Sequence, residues 1–205
     1  MSKILLLVPT EFELNKLRPH LNHLDNENVE VAVCGFGPIA AAARTATLIQ
    51  QVQPTAILLT GIAGAIGDSL SVGQASVFSD VLIDGIGAGS GEEFESAQSM
   101  GWNFWGTIGA RLDLVGGSGA GSLLTVCAAS GSQAQADSRC ERFPGAIAED
   151  METFAVAFAA AVANVPLTAI RGISNVAGDR AKGNWKIDEA LVAAAALVNK
   201  WTSAA

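Results

Sequence analysis

From Thr153 to Val162 the chain reads T-F-A-V-A-F-A-A-A-V, ten residues without a charge. A helix that is apolar on every side must be buried, so the fold has to enclose this segment. Just ahead of it stand three carboxylates, Glu149, Asp150 and Glu152. The helix is expected to open at Met151, which would set Glu152 in its first turn, where the aligned peptide dipoles favour an anion. In most helices dipole complementation alone would account for such a cluster. A carboxylate on an otherwise uncharged buried helix nevertheless needs an ionic partner or hydrogen-bond donors, and sugar hydroxyls are suitable donors.

A chain of 205 residues, half of them hydrophobic, is long enough for one well-cored domain and short for two. The net charge of −8 argues against a nucleic-acid partner, which would ask for a basic face. Any anionic ligand must therefore be held locally. Cys34, Cys127 and Cys140 lie far apart without metal spacing, and an odd number makes no disulfide framework. Cys34 and Cys127 sit in apolar strand-like runs and read as small hydrophobes. The apolar run Ile4 to Val8 is too short for a signal peptide or a membrane span. A cytoplasmic protein with no metal and no organic cofactor is expected.

Read in order, the chain alternates strands and helices. Ile4 to Val8 is a strand, and Thr10-Glu11-Phe12-Glu13 matches a capping box opening a helix to about Leu21. Val29 to Cys34 is the next strand, followed by Gly35-Phe36-Gly37-Pro38 and an alanine-rich helix from Ile39 to Val52. A third strand, Ala56 to Thr60, runs into a glycine-rich loop from Gly61 to Gly67 that includes Ala63 and Gly64. Strands at 75–83, 123–128 and 167–173 and helices at 133–142 and 187–201 complete the pattern. Such alternation predicts an α/β fold, a single domain with a central twisted, mostly parallel (mixed) sheet flanked by helices. The stretch from Asp84 to Trp105 has little regular pattern, as expected of a lid or subunit contact.

In open α/β sheets ligands bind beyond the carboxyl ends of the strands. Four polar clusters are predicted to converge there: Glu11 and Glu13, the loop from Gly61, Asp150 with Glu152, and Arg171 to Asn175.

The motifs T-E-F-E-L, T-G-I-A-G, E-D-M-E-T-F-A and R-G-I-S-N, in this order, resemble the nucleoside phosphorylase and nucleosidase superfamily across nearly the whole chain. Within it, the stretch from Gly85 to Gly101 and R-G-I-S-N-V-A-G-D-R are most similar to the futalosine hydrolases, which act on the route to menaquinone. The resemblance implies hydrolysis of an N-ribosidic bond through an oxocarbenium-like transition state. It implies that Glu152 binds the 2′ and 3′ hydroxyls, that Met151 packs on the ribose, and that Glu13 orients or deprotonates the attacking water. Arg171 corresponds to an arginine near the water and sugar, and Trp185 to an aromatic over the base. Asp150, Ser174, Gly61, Ala63 and Gly64 belong to the same motifs and are implied to border the substrate.

Each of these residues also has a reading as structure alone. Glu13 is the closing glutamate of a capping box, three residues after Thr10, Arg171 an ion-pair partner for Glu13 or Asp150, Asn175 a turn former, and Trp185 a packing residue. Asn175 stands where the adenosine-type nucleosidases carry aspartate. Its amide offers N–H donors to N7 and O6 of a 6-oxopurine, which predicts a hypoxanthine-like leaving group. Phe94, Trp102 and Trp105 are candidates either for a pocket receiving the aryl acid of futalosine or for a subunit interface. No Lys or Arg lies in the segment from Gly61 to Gly67, which favours water over phosphate, with Arg44 as the one residue that could reach inwards. The expected partners are a small-molecule nucleoside and further copies of this chain in a homo-oligomer. The alternatives are a methylthioadenosine/S-adenosylhomocysteine nucleosidase, an inosine-type phosphorylase and a non-catalytic nucleoside-binding protein.

Overall fold

A computed structural model describes residues 3–22, 27–117 and 121–204. The first half of the chain supplies β1 (Ile4–Val8), α1 (Glu11–Leu17), β2 (Val29–Val33), α2 (Gly37–Val52), β3 (Ala56–Ala65), β4 (Ala75–Val77) and β5 (Asp80–Ile83). The second half supplies β6 (Gly87–Ala88), β7 (Glu95–Ser96), β8 (Arg111–Asp113), β9 (Ser122–Thr125), α3 (Gln133–Arg142), β10 (Ala146–Asp150), α4 (Thr153–Val162), β11 (Leu167–Val176) and α5 (Ile187–Ala204). Among the described residues nine strands form one mixed sheet, and β6 with β7 makes a separate small hairpin.

Alternation along the strands divides the core. Leu5 and Leu7 of β1 and Ile57 and Leu59 of β3 pack with α2 and α4 on one face. Leu6, Val8 and Leu58 point the other way, into a cluster with Leu14 and Leu17 of α1 and Leu191, Ala195 and Val198 of α5. The helix α4 is buried at seven of its ten positions, as its composition requires.

The strand β3 is the axis of the site. One edge pairs with β11 from Ile57 to Ala65. The other is shared: β1 pairs with Ala56 to Leu59, and β10 pairs, antiparallel, only with Gly64 and Ala65. Along this second edge Thr60, Gly61, Ile62 and Ala63 face no strand among the described residues, and the sheet is split there.

Several expected boundaries move. The segment expected to be a glycine loop from Gly61 continues β3 to Ala65, and β11 runs on to Val176. These two strands sustain one another, so the glycines are held extended by the ladder. Glu149 and Asp150 end a strand, and α4 opens at Thr153 with Glu152 as its N-cap, so Glu152 lies outside the first turn. The strand expected at 75–83 is broken at Phe78 and Ser79 into β4 and β5. The first helix ends at Leu17 because Pro19 turns the chain into a 3₁₀ segment, Arg18–His20. Cys127 lies beyond β9 and is exposed, as is Cys140, whereas Cys34 is buried.

Candidate active site

The site begins where β1 ends. Thr10 caps α1, its Oγ1 accepting the Glu13 N–H at 3.2 Å, as a capping box requires. The Glu13 side chain departs from that pattern. Its Oε2 accepts from Thr10 Oγ1 at 2.6 Å, and its Oε1 accepts the Ile62 N–H at 3.0 Å, across the split in the sheet. A buried first-turn glutamate thus supplies the partner that a neighbouring strand would otherwise give to β3.

Directly beneath is Gly61. A Cβ on it would lie 2.5 Å from Arg171 Nη1, 2.8 Å from Glu13 Oε1 and 2.9 Å from Pro9 Cδ. Only hydrogen leaves room for both charges.

Arg171, on β11, is fully buried. Its Nη2 donates to Asp150 Oδ2 and, at 2.9 Å, to Thr153 Oγ1, while Glu152 Oε2 lies 3.6 Å away. Its Nη1 is buried without a hydrogen-bond partner among the described residues. Burial by itself pulls the Arg171 pKa down, but Asp150, Glu152 and Glu13 outweigh it and leave it raised.

Asp150 acts as a bracket. Its Oδ1 accepts from Thr125 Oγ1 at 2.7 Å, and its Oδ2 accepts the Thr153 N–H at 2.9 Å. Asp150 therefore caps α4 in place of Glu152, which makes no side-chain cap bond. Glu152 is free to turn towards the cavity, where its Oε1 accepts the Gly37 N–H at 3.0 Å. Burial pushes the Glu152 carboxyl up to about 7, against the pull of Arg171 and with the help of Asp150. The thiol of Cys34 is pushed up to about 12, again by burial first.

Three residues farther along β3, about 10 Å at the usual rise, lies Gly64. The Asn175 Nδ2 stands 3.4 Å from the position a Gly64 Cβ would take. Asn175 Oδ1 accepts from Ser174 Oγ at 2.8 Å, and Nδ2 donates to Val176 O at 2.8 Å, which leaves one N–H uncommitted. The Glu149 carboxylate borders the same region, bound to Ser130 and Arg139.

A cavity of about 410 Å³ joins these groups. Of the sequence-derived candidates, Glu13, Ala63, Gly64, Asp150, Met151, Glu152, Ser174, Asn175 and Trp185 line it. Gly61 and Arg171 do not, lying behind Glu13 and Glu152. Phe94, Trp102 and Trp105 are not on its wall, and the two tryptophans are exposed. Arg44 is exposed on α2 and does not reach it. The sequence reading missed Phe36, Ile62, Ala129 and Arg180, all of which line the cavity. For Phe36 the available signal is an aromatic set between two glycines at a strand end. For Arg180 it is the last residue of the R-G-I-S-N-V-A-G-D-R motif, whose guanidinium lies 5.2 Å over the Trp185 ring. That tryptophan is fixed by its indole N–H, which donates to Asp179 O at 3.1 Å.

The arrangement offers a buried carboxylate beside a buried guanidinium, a second carboxylate held back from ionising, and an amide N–H at the far end. It suits a ligand with a polar, hydroxylated middle and a flat heterocycle.

Comparison with known proteins agrees. The phosphorylase superfamily profile matches residues 5–113 and 118–203. Futalosine hydrolase of Streptomyces coelicolor is 32% identical over 185 residues, 83% of this chain and 77% of the relative. The 5'-methylthioadenosine/S-adenosylhomocysteine nucleosidase of Chromohalobacter salexigens is 28% identical over 171 residues, 78% of this chain and 72% of the relative. Among solved structures, the corresponding nucleosidase of Colwellia psychrerythraea with adenine superposes with a TM-score of 0.81 at 21% identity, covering 98% of this chain and 95% of that one. Native futalosine hydrolase of Helicobacter pylori gives the same TM-score at 15% identity, with 100% and 98% covered. A split sheet with carboxylates gathered at the gap, and a profile that runs almost from end to end, make this chain a member of the phosphorylase superfamily and, within it, a nucleosidase that hydrolyses N-glycosyl bonds.

Proposed function

We propose that the substrate is a 6-oxopurine nucleoside, with futalosine first among candidates, and that the products are hypoxanthine and the free sugar portion, a step towards menaquinone. The observation that carries this reading is the uncommitted N–H of Asn175 beside Gly64, in a cavity whose other polar landmarks are Glu13 and Glu152. That N–H suits N7 or O6 of a departing oxopurine, both acceptors.

The roles follow the order of groups along β3. Glu13 directs and deprotonates the water, while Arg171, buried behind Glu13 and Glu152, places a fixed positive charge between the two carboxylates. Glu152 grips the ribose hydroxyls, and Met151 packs on the sugar. Because burial raises the Glu152 pKa, its anion is poorly solvated in the resting site and gains most when the sugar turns cationic. Asp150 was expected to border the substrate. Its oxygens are engaged by Thr125, Thr153 and Arg171, so its part is to position Arg171 and α4. Arg180, the exposed cation on the cavity wall, suits the acid group that futalosine carries beyond the ribose. Phe12 and Phe36, 54% and 66% exposed on that wall, suit its aryl ring or a second subunit of a homo-oligomer.

Incubation with futalosine, inosine and methylthioadenosine, each with and without phosphate, tests the reading through the base released. Hypoxanthine from futalosine, at a rate indifferent to phosphate, is the expected outcome. Adenine from methylthioadenosine as the main product would favour the second reading, which rests on the 28% identical relative. A phosphate requirement would sink hydrolysis.

A further inference from the structure

Beyond capping α1, Thr10 borders the cavity and gives its only hydroxyl proton to Glu13. We propose that Thr10 is a positioning residue for the hydrolytic step: its hydroxyl, acting with the Ile62 N–H, locks the Glu13 carboxylate in the orientation from which it meets the water. The assignment rests on reading Glu13 as the group that directs and deprotonates that water, and deepens it.

The backbone sets the hydroxyl first. Thr10 is the N-cap of α1, extended at φ −134° and ψ 154°, and its Oγ1 accepts the Glu13 N–H at 3.2 Å. A β-branched side chain has few χ1 choices, so this bond settles where the oxygen stands. A hydroxyl has one proton and two lone pairs. One lone pair is spent on the Glu13 N–H, and the proton goes to Glu13 Oε2, 2.6 Å away. That length is usual for a hydroxyl bound to an ionised carboxylate.

In a capping box the glutamate reaches back to the backbone N–H of the cap residue. Here Glu13 reaches instead to the side chain of the cap and across to β3. The difference matters for a base. The last torsion of a glutamate is broad and roughly two-fold, so a carboxylate held at one oxygen still swings about that hold. The Ile62 N–H, at 3.0 Å, holds Oε1 and Thr10 holds Oε2, which sets the plane of the group. Among the described residues no other side chain donates to Glu13, and the nearby Arg171 Nη1 makes no hydrogen bond. A carboxylate has about four lone-pair sites, so the lock leaves accepting capacity on both oxygens.

Misplacement of a reacting group by about an ångström costs about a hundredfold in rate. Freeing one oxygen while Ile62 keeps the other displaces the group less, and a loss of about tenfold or more is expected.

The test measures base release by Thr10→Val, Thr10→Ser, Glu13→Gln and the double variant T10V/E13Q. The substrate is whichever of futalosine, inosine and methylthioadenosine the unaltered protein cleaves fastest. T10V keeps the shape of the side chain without its hydroxyl, and its kcat should fall about tenfold or more with KM little changed. T10S should restore most of the rate. E13Q should lose about a hundredfold or more, and adding T10V to it should cost nothing further, because Thr10 acts only through Glu13. Loss of the cap lowers the melting temperature of T10V under either role, so the cycle decides and stability does not. A tenfold loss on top of E13Q, or a T10V kcat equal to that of the unaltered protein, would reduce Thr10 to a helix cap and overturn the assignment alone. So would a T10S variant as slow as T10V, or a T10V loss confined to KM. An E13Q variant as active as the unaltered protein, or no base released from any of the three nucleosides, would remove the reading of Glu13 and this assignment together.

Discussion

At Gly61 a hydrogen atom stands where any side chain would collide with Arg171 Nη1 and Glu13 Oε1. Substituting Gly61→Ala should push the guanidinium and the carboxylate off their places by several tenths of an ångström. Misplacement on the ångström scale in a preorganised site costs about a hundredfold in rate. The variant should therefore fold and lose kcat by that order, with KM much less affected, measured by base release. Asn175 gives a second prediction at this scale. Asn175→Asp replaces an amide donor with a carboxyl group, and the ratio of kcat/KM for inosine to that for adenosine should fall by at least tenfold. An unchanged ratio would mean that Asn175 does not read the base. Glu13, Glu152 and Asn175 stood out from residue type and motif. Gly61 did too, but for the wrong reason, since the loop it was assigned to is a strand. Glu149 was legible only as one of three carboxylates ahead of α4, because its binding to Ser130 and Arg139, 19 and 10 residues earlier, follows from the way the loop and α3 fold back on β10 and not from any local spacing.

The element that carries most of the geometry is β11, which delivers Arg171, Ser174 and Asn175 while packing against α5. Gly172 is the point of closest approach: a Cβ there would lie 2.1 Å from Ala190 O and 2.5 Å from Ala190 C. Both are backbone atoms of α5, so the helix itself would have to move. Gly172→Ala should cost about 1–3 kcal/mol, in the range of core overpacking, seen as a lower urea midpoint. Because the Lys186 N–H, at the foot of α5, donates to Ser174 O at 2.7 Å, the same change should also disturb the base end of the site. Element types were legible in the sequence because apolar runs, a capping box and alanine-rich periodicity are local signals. The ends of β3 and β11 were not, because Gly61, Gly64 and the polar run to Asn175 are strand only through each other. The opening of α4 was misread for a related reason. Its cap comes from Asp150, two residues before the N-cap and fixed by Thr125 on β9.

For the molecule as a whole, Glu152 couples folding and chemistry with opposite signs. Its pKa rises from an ordinary 4.5 to about 7 in the folded protein. A group whose folded pKa is raised contributes stability that is fully present below the unfolded value and lost as the pH rises through the folded one. Between about pH 4.5 and 7, then, Glu152 favours the folded state more as the solution becomes more acidic, while the anion needed on the sugar disappears. Activity should fall on acidification through about pH 7. Over the same window the stability of the native protein relative to Glu152→Gln should increase, measured as the difference between their melting temperatures at each pH. Fold class and superfamily were readable because the motifs occur in order along the whole chain. The cavity wall was read only in part: the excursion after Asp84 suggested aromatic lining, whereas the aromatics that line the cavity are Phe12, Phe36 and Trp185. The split edge of β3 has a spectroscopic corollary. The amide proton of Ile62 is held by a glutamate side chain where a sheet amide would ordinarily be held by a neighbouring strand. Its chemical shift and solvent exchange rate should track the Glu13 carboxylate, so one nuclear magnetic resonance signal would register whether a ligand has engaged that acid, before any bond is broken.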